Sequence, residues 1–150
     1  MKLVIQRVQR AAVQVDEQTV GAIDTGFLIL VGAEAGDTAQ TGQHLAEKVA
    51  KLRVFSDEAG KMNLNINQVG GSILSVSQFT LLADLQHGNR PSFKRAGDPQ
   101  VAQQNYDDFN AALADQGLQV ATGEFGADMQ VELVNDGPAT FLLDYQEPPA

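Results

Sequence analysis

The sequence holds no cysteine and no tryptophan, and only two histidines, His44 and His87. The first absence excludes thiol catalysis, disulfides and cysteine-ligated zinc. Two histidines cannot build a histidine-rich metal centre, and neither a metal nor any other cofactor is expected. Basic residues are also scarce. Ten Lys and Arg face nineteen Asp and Glu, for a formal net charge of −9. A broad nucleic-acid groove needs a basic surface, so any nucleic-acid partner has to be gripped locally, at few phosphates. No apolar run approaches the roughly 20 residues of a membrane-spanning helix. The N-terminus alternates apolar residues with Lys2, Arg7 and Arg10 and lacks the apolar h-region of a signal peptide. The expected setting is the cytoplasm, with no membrane partner.

What is present suits one globular domain over residues 1–150, with 43% hydrophobic residues and enough chain to bury roughly two-thirds of its unfolded surface. Leu3 to Val8 and Ala11 to Val15 read as two strands, Gln18 to Ile23 as a shorter third. Gly26 to Val31 is a continuous apolar run that suits a central strand buried on both faces. A helix follows, capped by Asp37 or Thr38, with Leu45, Val49 and Leu52 at i, i+4 and i+7. His44 is expected on its solvent face. Arg53 to Phe55 and Ser72 to Leu82 are expected strands, and Ala83 to Asp98 a long loop. Loops of that length in a compact domain are usually functional or disordered. Asp98 and Pro99 mark the N-cap and N1 of a second helix, and Gly117 its C′ residue. Leu118 to Ala121, Met129 to Val134 and Ala139 to Asp144 complete the strands, and residues 145–150 are expected to form a frayed tail. The expected fold class is α+β: mostly antiparallel, barrel-like sheets of about eight strands, with two helices packed on one side.

Two stretches stand out. Asn135-Asp136-Gly137-Pro138-Ala139-Thr140 lies between apolar runs, and its composition favours an ordinary hairpin turn. A Gly-Pro pair is nevertheless costly if folding is the only demand, because proline gives up a donor and glycine adds chain entropy. The pair offers a rigid corner with bare carbonyls and no obstructing side chain. The second stretch is Ser77-Gln78-Phe79-Thr80-Leu81. Here Gln78 and Thr80 are expected on one face of a strand in a core-facing run, where buried polar groups need partners. A threonine hydroxyl is a weak nucleophile without a base, and no nucleophile-elbow pattern supports a triad of Ser77, His87 and an aspartate. Backbone N–H groups that stabilise an oxyanion are the other route to hydrolysis. Arg90, Lys94 and Arg95 cluster in the long loop, where a phosphate-binding role and a solvated basic turn are equally open.

Ser77 to Leu81 together with Asn135 to Thr140 resemble the two signature motifs of the D-aminoacyl-tRNA deacylase (D-tyrosyl-tRNA deacylase) family. The resemblance extends through Gln6-Arg7-Val8, Gly60 to Asn63, Val69 to Gly71, Arg90 to Phe93 and Phe125 to Val131. It implies hydrolysis of the ester between a D-amino acid and the terminal adenosine of tRNA, and removal of glycine mischarged onto tRNA for alanine. It implies a homodimer in which a cis Gly137-Pro138 turn reaches into the partner's site at Ser77, Gln78, Phe79 and Thr80 and excludes L-amino acids. Arg7 would hold that turn, and Phe125 and Met129 would frame the adenine. The partner is the aminoacylated 3′ end of tRNA. Catalysis is expected to draw on the terminal ribose 2′-OH, with Thr80 as nucleophile the competing proposal. A dimeric module that binds the tRNA acceptor end without turnover is the alternative function. If selectivity resides in backbone carbonyls, the side chains of Asn135 and Asp136 should matter less than the geometry of Gly137-Pro138.

Overall fold

The computed structural model describes residues 1–148. In chain order these form strands β1 (Lys2–Val15), β2 (Gln18–Ile23) and β3 (Gly26–Gly32), helix α1 (Ala39–Lys51), strands β4 (Phe55–Ser56), β5 (Met62–Leu64) and β6 (Ser72–Ser77), a 3₁₀ turn (Phe79–Leu82), helix α2 (Pro99–Asp115), and strands β7 (Val120–Thr122) and β8 (Gln130–Asp144). Eight strands and two helices are thus found among the described residues, in the α+β class.

β1 is one long strand where two were expected. No glycine or proline lies between Val8 and Ala11 to break it. Its first half pairs with β3 and its second half with β2, while β8 runs antiparallel along the opposite edge. β3 pairs in parallel with β6, and β6 in parallel with β7. The sheet is therefore mixed, with antiparallel pairing in the majority as expected and two parallel pairings beside it. Each parallel neighbour is reached through a helix, α1 before β6 and α2 before β7, and such crossovers lay the second strand parallel to the first. β2 returns beside β7, with Gly21 so near that a Cβ there would lie 2.6 Å from the Thr122 carbonyl oxygen. The sheet thereby curls into a nearly closed barrel.

Both helices pack on one face. Leu45, Ala46 and Val49 of α1, with Phe109 and Leu113 of α2, share a core with Leu3, Ile5, Phe27, Ile29, Val31 and Ile73. Alternate residues Leu28, Leu74 and Val76 join Val8 and Val13 on the other face, as period-two strands require. Thr38 caps α1 in a capping box. Asp98 caps α2, accepting from Gln100 N–H at 2.8 Å, with Pro99 at the first helical position. Gly117, just past α2, takes φ +84°.

The chain end does not fray over its described part. Tyr145 N–H donates to the Met1 carbonyl at 3.0 Å, the Tyr145 ring stacks on His44 at 4.0 Å, and Glu147 accepts from Thr41 at 2.9 Å. Residues 149 and 150 of the expected tail lie outside the described residues.

Candidate active site

β6 carries the first signature stretch to the surface. Its parallel register with β3 sets Ser77 opposite Val31, and Gln78 N–H donates to the Val31 carbonyl at 2.8 Å. There the strand stops, earlier than expected. The Gln78 carbonyl accepts from Leu81 N–H and the Thr80 carbonyl from Ala83 N–H, each at 3.2 Å, so residues 79–82 form a 3₁₀ turn. Gln78 and Thr80 consequently do not share a strand face and do not point into the core. Gln78 is half-buried and Thr80 exposed. Their side chains still meet, with Gln78 Nε2 donating to Thr80 Oγ1 at 3.0 Å. A helical turn leaves its leading N–H groups without intrahelical acceptors. Here those belong to Phe79 and Thr80, the donors an oxyanion would need.

Phe79 is 60% exposed. It leans on Phe93 with ring centroids 4.9 Å apart. The two rings stand at the edge of a cavity of about 850 Å³ lined by Ser77 to Thr80, Phe93, Ala96, Gly97, Ala102 and Phe125 to Met129. Phe125 and Met129, singled out from the sequence, thus share one chamber with Ser77, Gln78, Phe79 and Thr80. Tyr106 of α2 lies behind Phe125, centroids 6.1 Å apart, and its hydroxyl donates to the Ser75 carbonyl at 2.7 Å. Burial pushes the Tyr106 phenol pKa up, so it stays a neutral donor that steadies β6. At Gly123 a Cβ would lie 2.6 Å from Met129 Sδ, so glycine there leaves room for the methionine wall.

The second signature stretch is not a hairpin. Both halves of β8 pair with the same strand, β1: Gln130 to Asn135 with Gln14 to Val8, and Thr140 to Asp144 with Gln6 to Lys2. Residues 136–139 bulge out of the ladder opposite Arg7. The Gly137-Pro138 bond is cis and Gly137 takes φ +126°, a region that L side chains rarely adopt. Arg7, only 8% exposed, grips the bulge. Its Nε and Nη2 donate to the Asp136 carbonyl at 3.1 and 2.9 Å, and its Nη1 donates to the Val54 carbonyl at 2.6 Å. Asn135 works from the other end, its side-chain oxygen accepting from Ala139 N–H at 2.9 Å and its amide donating to Thr140 Oγ1 at 3.0 Å. Asn135 therefore sets the backbone geometry through its side chain, in contrast to Asp136, whose carboxylate is half-exposed and 3.7 Å from Arg7. Gly137 and Pro138 are exposed and do not line this chain's cavity. Among the described residues, the two signatures are not brought together within one chain.

Of the basic trio, Arg95 is half-exposed but committed to an ion pair within the protein. It donates from Nε and Nη2 to Glu34 at 3.1 and 2.9 Å, whereas Arg90 and Lys94 are exposed and form no ion pair among the described residues. Glu34 is 5% exposed. Burial pushes its pKa up, but hydrogen bonds from Arg95 and the Met1 amino group, and their charges, outweigh burial and hold it below the ordinary value. Sequence reasoning missed both Phe93 and Glu34 as site-related residues. The aromatic at the end of Arg90-Pro91-Ser92-Phe93 was an available signal for the first. Nothing local marks the second.

The sequence matches the family described as D-Tyr-tRNA(Tyr) deacylase over residues 4–144. A protein of Lactobacillus delbrueckii subsp. bulgaricus named D-aminoacyl-tRNA deacylase is 58% identical over 144 residues, covering 96% of this chain and 99% of the relative. A Shewanella protein of the same name is 58% identical over 143 residues, covering 95% of this chain and 99% of the relative. The solved structure of the c-Myc DNA Unwinding Element Binding Protein superposes with a TM-score of 0.90 at 38% identity, covering 98% of this chain and 100% of that one. With the family match spanning nearly the whole chain, and relatives this similar over their full length, the chain belongs to the D-Tyr-tRNA(Tyr) deacylase family.

Proposed function

We propose that the chain hydrolyses the ester joining a D-amino acid to the terminal adenosine of tRNA, releasing the free D-amino acid and tRNA in the cytoplasm. The observation that supports this best is the division of labour between the two signatures. Ser77 to Thr80 face a cavity walled by Phe79, Phe93, Phe125 and Met129, and the Gly137-Pro138 corner stands exposed outside that lining, held by Arg7. A corner presented outward in this way suits a homodimer in which each copy's turn enters its partner's cavity.

Chirality then follows from sterics. A pocket that recognised D side chains would have to fit many shapes, whereas one that rejects L side chains needs only a wall. Backbone carbonyls fixed by Arg7 and Asn135 make that wall, because they cannot swing aside as a side chain can. A hydrogen on that side of Cα is tolerated, so D-amino acids enter. Glycine carries hydrogen on both sides and enters too, so glycine mischarged onto tRNA for alanine is also a substrate.

In the reaction, water adds to the ester carbonyl and the N–H groups of Phe79 and Thr80 stabilise the resulting oxyanion. The C–O bond to the ribose then breaks, and the ribose oxygen takes up a proton. The terminal 2′-OH, adjacent to the ester, positions the water. The adenine rests on the wall of Phe125 and Met129. Thr80 holds Gln78 and the turn and does not attack the ester. Thr80→Ala assayed beside a substrate ending in 2′-deoxyadenosine separates the routes. The expected result is an active alanine variant and a deoxy substrate cleaved poorly. A dead variant with normal cleavage of the deoxy substrate overturns the RNA-assisted route, and tRNA binding without any release of amino acid overturns the enzymatic reading.

A further inference from the structure

We infer that Arg95, clamped by Glu34, is a positioning residue that holds the aromatic wall of the cavity at Phe93 in register with Phe79. The inference rests on the reading above only for its substrate, the nucleotide end of tRNA. Residues 83–98 join the 3₁₀ turn to α2 with no regular secondary structure, apart from isolated bridges of Asp84 to Ser92 and of Glu34 to Ala96. Yet three of these residues, Phe93, Ala96 and Gly97, line the cavity. A wall built from an irregular loop needs an external anchor, and Glu34 with Ala35 supplies it. The buried Glu34 carboxylate accepts the paired donors of Arg95 on Oε2, together with Gln146 Nε2 at 3.2 Å, and the Met1 amino group on Oε1 at 3.1 Å. The Arg95 carbonyl in turn accepts from Ala35 N–H at 3.0 Å. Gly97 lies against Ala35, where a Cβ would sit 3.2 Å from its Cα. Arg95 also reaches Asp144 at 3.4 Å, at the end of β8.

A buried carboxylate is retained only where it is paired. Here the pairing touches neither Thr80 nor the N–H groups of the 3₁₀ turn. It touches the loop that carries Phe93, two residues before Arg95, and Phe93 supports the exposed ring of Phe79. Stacking surfaces of this kind bind single-stranded nucleotides, because every base offers a π-face. The clamp therefore acts on substrate affinity and leaves the chemical step alone.

The absence of tryptophan provides a direct readout. Phe93→Trp creates a single indole on the wall. Arg95→Met and Arg95→Lys are placed in that background and in the parent, with circular dichroism confirming that each stays folded at the assay temperature. Arg95 is half-exposed, so these changes keep Glu34 paired to the Met1 amino group. We expect acrylamide quenching of the indole to rise at least about two-fold in Arg95→Met. KM for D-aminoacyl-tRNA should rise about ten-fold, the scale of one lost charge-assisted hydrogen bond, at nearly constant kcat. Arg95→Lys, which keeps one donor but loses the fork, should fall between. Unchanged quenching, or a fall in kcat at constant KM, overturns the inference. If the parent protein cleaves no D-aminoacyl-tRNA at all, the substrate reading fails and the quenching alone decides the clamp.

Discussion

Arg7→Met is the most informative single change to the bulge at residues 136–139. Methionine keeps the apolar stem of arginine but removes all three donors: two that serve the Asp136 carbonyl and one that serves the Val54 carbonyl. Hydrogen bonds to charged groups contribute about 1.5–3 kcal/mol each in net terms. Val54 is buried, so its carbonyl loses its donor with no easy replacement. The Asp136 carbonyl lies beside exposed Gly137 and regains part of its loss from water. Removing a buried charge also removes its desolvation cost. The balance comes to about 3–5 kcal/mol of destabilisation, within the total stability of about 5–15 kcal/mol typical of a domain. Urea unfolding measures it, with the midpoint shifting and the slope held. At temperatures where the variant stays folded, matched D- and L-aminoacyl-tRNA time courses measure the consequence. A loosened carbonyl wall should admit L substrates, raising their cleavage relative to D by about ten-fold or more, since each 1.4 kcal/mol of lost discrimination is a factor of ten. A variant destabilised by less than about 1 kcal/mol, with an unchanged D-to-L ratio, refutes the reasoning.

Two further expectations concern neighbouring groups. Asn135→Ala removes the acceptor for Ala139 N–H and should cost about 1–2 kcal/mol and erode D-to-L discrimination. Asp136→Ala loses a long, half-exposed ion pair and a long, exposed hydrogen bond from Gln9 Nε2 at 3.5 Å and should cost less than about 1 kcal/mol with discrimination kept; urea midpoints and the same time courses compare the two. The acid side of the stability curve should depend on Arg95. The folded pKa of Glu34 lies below its ordinary value, so the pair stabilises the fold above the unfolded pKa and that stabilisation is lost as pH falls through the folded pKa. Asp37 has its pKa raised by burial and works in the opposite sense, favouring the fold at low pH and losing that contribution as pH rises. Arg95→Met removes a partner that holds Glu34 down, and should flatten the fall in urea midpoint between about pH 6 and pH 3. A decline as steep as that of the parent contradicts this assignment.

The parts of the fold that were legible in the sequence were those with local punctuation. Asp98-Pro99 and Gly117 bound α2, Asp37-Thr38 marks the start of α1, and the apolar run of β3 needs no partner to be recognised. The misreadings share a cause, which is that a local pattern does not name its long-range partner. Asn-Asp-Gly-Pro says that the chain leaves a ladder, but not that the same strand, β1, receives it again, so a bulge reads as a hairpin. Phe79 to Leu82 has strand-like composition, and only the bonds from Leu81 N–H back to Gln78 and from Ala83 N–H back to Thr80 decide for a 3₁₀ turn. Within the candidate site, Ser77 to Thr80, Phe125 and Met129 could be named from motifs, and Arg7 with them. Glu34 and Arg95 are 61 positions apart, and no periodicity in either neighbourhood indicates that they meet.

The central claim is that the exposed Gly137-Pro138 corner of one copy makes the cavity of its partner blind to L-amino acids and open to D. The most direct measurement is deacylation of one tRNA charged in parallel with the D and L forms of the same amino acid, with glycyl-tRNA as the achiral control. The account predicts that the D and glycyl esters are cleared and the L ester survives at the rate of the uncatalysed control. Equal clearance of the D and L esters, or an intact glycyl ester beside a cleared D ester, contradicts it.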